Sequence, residues 1–169
     1  MIIRHARPGD LVRVVAIYNQ SSSLPVDLDQ RRNWFHERDP GRRPLWVAEV
    51  DGAVAGWLSV DDFYGRVDYP GAVQIGAYVD RRHQGRGIAT ALLRHCLQRA
   101  PALGVETIVG FIRSDNPGPI AITTAHGFEE WGRLPGVAPA GDLVIMGRRV
   151  ADASRSRSDP RDTAIAHSR

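Results

Sequence analysis

The sequence predicts an α/β fold, a mixed sheet flanked by helices, in one domain over residues 1–150 with a disordered tail over residues 151–169. Three observations carry this. Strand and helix signals alternate through residues 1–150. The run PLWVAEV, the turn Asp51-Gly52 and the run AVAGWLSV read as a hairpin. The apolar strand VQIGAYV then passes through a glycine-containing loop into a helix that begins at Ile88.

Ile2 to His5 opens the chain as a short strand. Asp10 is placed to cap a helix whose apolar residues Leu11, Val14, Val15 and Tyr18 follow helical spacing. A second helix covers Asp27 to Arg38, turns Trp34 and Phe35 inward, and ends before Pro40. After the hairpin, the loop DDFYGRVDYPGA leads to VQIGAYV. The helix from Ile88 to about Ala100 puts Ile88, Leu92, Leu93, Cys96 and Leu97 on one face. Cys96 therefore reads as a small core residue, since a mid-helix apolar stripe supplies neither the charge nor the base a nucleophile needs. VETIVGFI is the next strand, and a short helix starts near Pro119 and stops at Gly127. FEEWGRL and DLVIMGRRV close the domain as two strands around the loop PGVAPAG. The element order is βααβββαβαββ. Trp34, Trp46 and Trp57 are assigned to the core, while Trp131 sits on an edge-region strand.

Composition removes several function classes. All 22 basic residues are arginine, so a phosphate loop built around a lysine is excluded. The net charge of +3 is mild, and Asp and Glu lie among the arginines, which argues against a nucleic-acid face. No stretch approaches a membrane span, and the start MIIRHARPGD is no signal peptide. With one cysteine and no intramolecular disulfide, the expected setting is cytoplasmic. The six histidines show no metal-ligand spacing, so no metal is expected. The tail, ADASRSRSDPRDTAIAHSR, has too few large apolar residues to offset its ordering entropy.

The informative segment is Asp80 to Thr90. Gly85 and Gly87 let backbone N–H groups approach a ligand where the chain turns from strand into helix. The helix N-terminus adds unpaired donors and partial positive charge. Together they suit a pyrophosphate, and Arg82 and Arg86 can add charge. A bare glycine turn without ligand is the alternative. A dinucleotide fingerprint is a poor match, because only Gly85 and Gly87 fit and position 90 is Thr.

Arg82-His83-Gln84-Gly85-Arg86-Gly87, preceded by an apolar strand and followed by ATALL, resembles the acetyl-CoA pyrophosphate motif of the GNAT N-acetyltransferase superfamily. The resemblance implies acetyl-CoA as cosubstrate and a cofactor strand that splays from its neighbour. It puts pantetheine contacts on Ala77, Tyr78 and Val79. It puts the pyrophosphate amides on Gly85, Arg86, Gly87, Ile88, Ala89 and Thr90, and a further cofactor contact on Asn116. AIYNQ, RRNWFHER, FYGRVDY and GRLPGV…DLVIM resemble the phosphinothricin acetyltransferase branch in the same order. That branch carries a Phe, Arg, Tyr and Glu at fixed spacing before and within the cofactor strand. Here they fall on Phe63, Arg66, Tyr69 and Gln74, with Phe63, Arg66 and Tyr69 as substrate-binding candidates. A homodimer is common in the branch.

Gln74 and Tyr78 are the catalytic candidates, and Gln74 is a departure. A substrate amine with a pKa near ~8 is mostly protonated at neutral pH and needs an acceptor for its proton. An amide can orient a water or an amine but cannot take that proton. Thr123 is a second departure, standing where many members carry a tyrosine that protonates the leaving thiolate. The loop Pro135 to Gly141 is shortened. The expected activity is acetyl transfer from acetyl-CoA to the amine of a small molecule, such as an amino acid, phosphinothricin or methionine sulfoximine. The alternative is a catalytically weak acyl-CoA-binding sensor.

Overall fold

The computed structural model describes residues 1–22, 24–138 and 141–150, and the expected tail lies outside them. The elements are β1 (Ile2–His5), α1 (Leu11–Asn19), α2 (Leu28–His36), β2 (Leu45–Val50), β3 (Ala53–Asp62), β4 (Ala72–Val79), α3 (Ile88–Arg99), β5 (Thr107–Arg113), α4 (Pro117–Ala125), β6 (Glu129–Ala138) and β7 (Gly141–Arg149). This reproduces the expected order, βααβββαβαββ. The strands form one sheet in the order β1-β2-β3-β4-β5-β7-β6. Every neighbouring pair is antiparallel except β4–β5, which α3 connects as a parallel crossover.

Each face of the sheet has its own core. On one, Ile88, Leu92, Leu93 and Cys96 of α3 pack with Val73, Ile108, Val144, Met146 and Phe128. On the other, Leu11, Val14, Val15 and Ile17 of α1 and Phe35 of α2 pack against Leu45, Val47, Val54 and Trp57. Alternation along β4 therefore sends Val73, Ile75 and Val79 to the α3 side and Tyr78 to the α1–α2 side. Burial pushes the Cys96 thiol up to about 12, which removes it from nucleophile chemistry.

Local chemistry sets the boundaries. Asp51 (φ 49°) and Gly52 (φ 77°) both take the left-handed conformation that a two-residue hairpin turn requires. Asp27 caps α2, accepting from Gln30 N at 2.8 Å while Gln30 Oε1 accepts from Asp27 N at 2.9 Å.

Four local expectations need correction. Asp10 does not cap α1; its carboxylate accepts from Arg7 N at 2.7 Å and pairs with Arg4. The second helix ends at His36, which releases Arg38 to reach back to β3. Trp34 is only half-buried. The loop PGVAPAG is largely strand, because β6 continues to Ala138 around an irregularity between Leu134 and Ala138. Asp142 Oδ1 accepts from Gly136 N at 3.1 Å and holds that irregularity closed.

Candidate functional site: a split sheet beside a glycine loop

The parallel register of β4 with β5 covers only Ala72–Ile75 against Thr107–Gly110. Beyond it the two strands part. Gly76, Ala77, Tyr78 and Val79 stay paired to β3 through Ser59, Leu58, Trp57 and Gly56 but have no β5 partner. Phe111, Ile112 and Arg113 pair only with β7. The β4 edge thus presents backbone N–H and C=O groups into a wedge, a template for an amide-bearing chain.

The wedge opens toward the glycine loop. Asp80 is fully buried at the end of β4. Its carboxylate accepts from Arg82 N at 2.8 Å, from Arg82 Nε at 3.2 Å and from Arg13 of α1, and so ties the loop to the first helix. The Arg82 hydrogen bonds, aided by Arg13, hold the Asp80 carboxyl well below the usual carboxylate range despite burial. Gly85 (φ 73°) and Gly87 (φ 75°) are both left-handed, and an added Cβ at either would meet no protein atom within 4 Å. They are glycine for conformation, and the space before their amides is open. Gly87 is the N-cap residue of α3, so the N–H groups of Ile88, Ala89 and Thr90 lack intrahelical acceptors. Arg86 is exposed at the loop tip. Arg82 is turned back onto Asp80, so its first role is to brace the loop. Asn116 is exposed at the head of α4, its side chain making no cap bond.

On the α1–α2 face, β3 and β4 place Trp57 opposite Tyr78, Ser59 opposite Gly76 and Asp61 opposite Gln74. The Tyr78 ring lies 4.5 Å from that of Trp57 and 5.2 Å from that of Tyr18. It folds back over Gly76, where an added Cβ would stand 3.3 Å from the ring and 3.6 Å from Ser59 Oγ. Burial, with Tyr18 beside it, raises the pKa of the Tyr78 phenol, so at neutral pH it is a hydrogen-bond donor. Gln74 is half-buried in the same row as Asp61.

Cross-strand register extends that row. Gln74 stands opposite Val109, and Val109 opposite Gly147. A Cβ on Gly147 would collide with the Trp131 ring, so Trp131 lies over Gly147 on the face that carries Gln74. Two strand spacings, ~10 Å, separate it from Gln74.

The loop candidates gather only in part. The Phe63 and Tyr69 rings meet at 6.0 Å. Arg66 is exposed and pairs with Asp68 at 2.6 Å. Thr123 is buried, and its hydroxyl donates within its own helix to Pro119 O at 2.9 Å and Ile120 O at 3.0 Å. Sequence reasoning passed over Asp61, although counting by twos from Trp57 puts it on the Tyr78 face. Among the described residues no group of three or more His, Cys, Asp or Glu is arranged to hold a metal. No helix among them is long and apolar enough to cross a membrane.

Residues 11–128 match the model of the Acetyltransferase (GNAT) family. The chain is 37% identical over 164 residues to YwnH of Bacillus subtilis (strain 168), provisionally named a phosphinothricin acetyltransferase; the match covers 89% of this chain and all of that one. It is 33% identical over 144 residues to an L-methionine sulfoximine/L-methionine sulfone acetyltransferase of Pseudomonas aeruginosa, covering 80% of this chain and 84% of that one. Among solved structures, a GNAT superfamily phosphinothricin acetyltransferase from Sinorhizobium meliloti in complex with AcCoA superposes with a TM-score of 0.83 at 25% identity over 94% of each chain.

Proposed function

The chain belongs to the acetyltransferase (GNAT) family, and on that premise we propose that residues 1–150 form a domain that acetylates an amino acid or a close analogue, phosphinothricin and methionine sulfoximine included. It is an N-acetyltransferase that moves an acetyl group from acetyl-CoA to the amine of a small molecule. The observation that carries the site reading is the wedge past Ile75, which opens onto the amides of Gly85 to Thr90.

In this reading the cosubstrate's pantetheine arm pairs with the β4 edge at Ala77, Tyr78 and Val79. Its pyrophosphate lies on the amides of Gly85, Arg86, Gly87, Ile88, Ala89 and Thr90, at the positive end of α3. Arg86 adds charge there, Arg82 holds the loop, and Asn116 reaches the cosubstrate from across the wedge. The thioester supplies the acetyl group at the split, beside Gly76 and the row of Asp61 and Gln74. The acceptor amine enters from the α1–α2 face. Gln74 and the Tyr78 hydroxyl orient it, and Phe63 and Tyr69 wall the entry. Arg66 leaves Asp68 to take the acceptor's carboxylate in a bidentate pair. Holding amine and thioester together supplies most of the acceleration.

A leaving thiolate with a free pKa near ~8.5 can draw its proton from water. That accommodates Thr123, whose hydroxyl is spent inside its helix. The same residue favours the second reading, a catalytically weak acyl-CoA-binding protein. Use of acetyl-CoA supports a cytoplasmic setting. The exposed Phe111, Trp131, Leu134 and Val137 on β5 and β6 support a homodimer.

The experiment compares amino acids and their analogues with the matching amino-acid amides and decarboxylated amines, following thiol release from acetyl-CoA. Preference for the carboxylates, lost in Arg66→Ala through a higher KM, supports the acceptor assignment. Equal rates on the amides overturn it.

A further inference from the structure

We propose that the carboxylate serving the acceptor amine is Asp61 of β3, acting from across the strand pair that also holds Gln74. The inference rests on the reading of the β4 face as the acceptor side. It adds a catalytic residue that the sequence candidates did not include.

Three observations carry it. Asp61 and Gln74 are directly opposed partners, so their Cβ atoms lie ~5 Å apart on one face. A carboxylate and an amide at that spacing reach the same small volume, next to Ser59 and Gly76 where the sheet begins to split. Second, the Asp61 side chain is held but not closed off. Oδ1 accepts from Trp34 Nε1 at 3.1 Å and Arg38 Nη1 at 2.7 Å, and Oδ2 accepts from Ser59 Oγ at 2.6 Å. A carboxylate offers about four acceptor positions, so one remains, on Oδ2. The side chain keeps 23% of its surface open, enough for a small ligand to touch it. Third, its donors are fixed by elements around the acceptor side. Trp34 comes from α2, Arg38 from the segment released when α2 stops, and Ser59 is buried.

Such packing orients one carboxylate oxygen for a ligand. The structural alternative is that Asp61 only anchors Arg38 and Trp34.

The charged and titratable groups about Asp61 are few. Arg38 pairs with it from beyond α2, Arg31 of α2 stacks over Tyr18 and Trp34, and Tyr78 faces it along β4. Asp61 is the carboxylate among them, beside Gln74, which has none.

The substrate enters as an ammonium ion that donates to Oδ2. One N–H proton moves to Oδ2, and the freed nitrogen lone pair attacks the thioester carbonyl carbon. The C–S bond breaks, its electron pair leaves with the thiolate, the second nitrogen proton is lost to water, and water returns a proton to that sulfur. The products are the amide and the thiol, and Oδ2 returns its proton to solvent. No oxidant, metal or further reactant is required.

The test uses the full chain and an amine that the parent enzyme acetylates. Failure of the parent on every amine would sink the acceptor reading itself, whereas the variants below bear on Asp61 alone. Asp61→Asn should lower kcat/KM by ~100-fold or more near neutral pH, the usual contribution of a general base. The deficit should shrink as pH passes the amine pKa. Asp61→Asn with Gln74→Glu returns a carboxylate from the opposed strand and should recover at least ~10-fold over the single variant, with the acetyl-CoA thermal shift unchanged throughout.

Parent-like kcat/KM in Asp61→Asn at every pH overturns the proposal. So does a loss that is uniform in pH and not rescued by the exchange, which is what an anchoring role gives. Should Asp61→Asn fail to fold, Asp61→Glu takes its place. It keeps a carboxylate but displaces it by one methylene from the amine, so kcat should fall by ~10-fold or more with the acetyl-CoA thermal shift unchanged. A parent-like kcat in that variant overturns the assignment.

Discussion

Replacing Asp80 with asparagine separates the architecture of the glycine loop from its chemistry. Asp80 is fully buried and accepts from Arg82 N, from the Arg82 guanidinium and from Arg13, 67 residues away in sequence. The substituted amide would keep one acceptor oxygen but turn an NH2 toward those donors. Removing one partner of a buried ion pair typically costs ~3–5 kcal/mol. The Arg82 side chain is 74% exposed and Arg13 29%, so both recover much of their hydration, and about 2 kcal/mol is a fair expectation. For a chain of this size that is a fall in Tm of roughly 4–8 °C.

The pH dependence has a definite sign. The folded carboxyl is held below its unfolded value of ~3.9, so its stabilisation is complete above that value and fades as pH falls further. Parent and Asp80→Asn should differ fully at pH 7 and converge in acid, below about pH 4. Thermal unfolding with and without acetyl-CoA reads both effects, because the displaced loop should also bind acetyl-CoA several-fold more weakly. A Tm within about 1 °C of the parent, with an undiminished acetyl-CoA shift, would refute the view that Asp80 braces this loop.

Gly87→Glu should abolish the thermal shift given by acetyl-CoA, since it forces a side chain into a left-handed position and brings negative charge to an anion site; a normal shift would relocate that site. Gln74→Glu alone should bring little gain in kcat/KM, because the new carboxylate stands directly opposite Asp61 and the pair cannot both ionise freely; a gain of ~100-fold across neutral pH would return the base to position 74. Cys96 should resist thiol reagents in the native state and react only on unfolding, whereas fast native labelling would place it outside the α3 core.

The features legible in the sequence are local ones. Asp51-Gly52 specifies its hairpin because both residues tolerate positive φ. The stripe from Ile88 to Cys96 specifies the buried face of α3 by spacing alone. Gly85 and Gly87 specify a left-handed approach to a helix N-terminus. What escaped depends on distant partners. The splay of β4 from its neighbour is implied by the family resemblance, but its onset after Ile75 is set by the register of strands joined through α3, and no residue there announces it. The pairing of Asp61 with Gln74 is fixed across the loop that holds Phe63, Arg66 and Tyr69, so a scan of β4 alone shows only a missing carboxylate. The charge of Arg82 is visible in the sequence, but its hold on Asp80 is not, because no local pattern shows that Asp80 is buried. The extension of β6 through Pro135 to Ala138 depends on Asp142 closing the irregularity, against the loop composition of that segment.

Acetyl transfer at the wedge between β4 and β5 leaves two products, and both can be followed in one reaction. The full chain is incubated with acetyl-CoA and a panel of amino acids, phosphinothricin and methionine sulfoximine at pH 7 to 9. Thiol release and the mass of the amine product are followed together. At least one N-acetylated amine should form in equal amount to free thiol, and Gly87→Glu should lose both. Acetyl-CoA binding with a clear thermal shift, but no acetylated amine anywhere in the panel, would contradict acetyl transfer at this wedge and leave an acyl-CoA-binding protein.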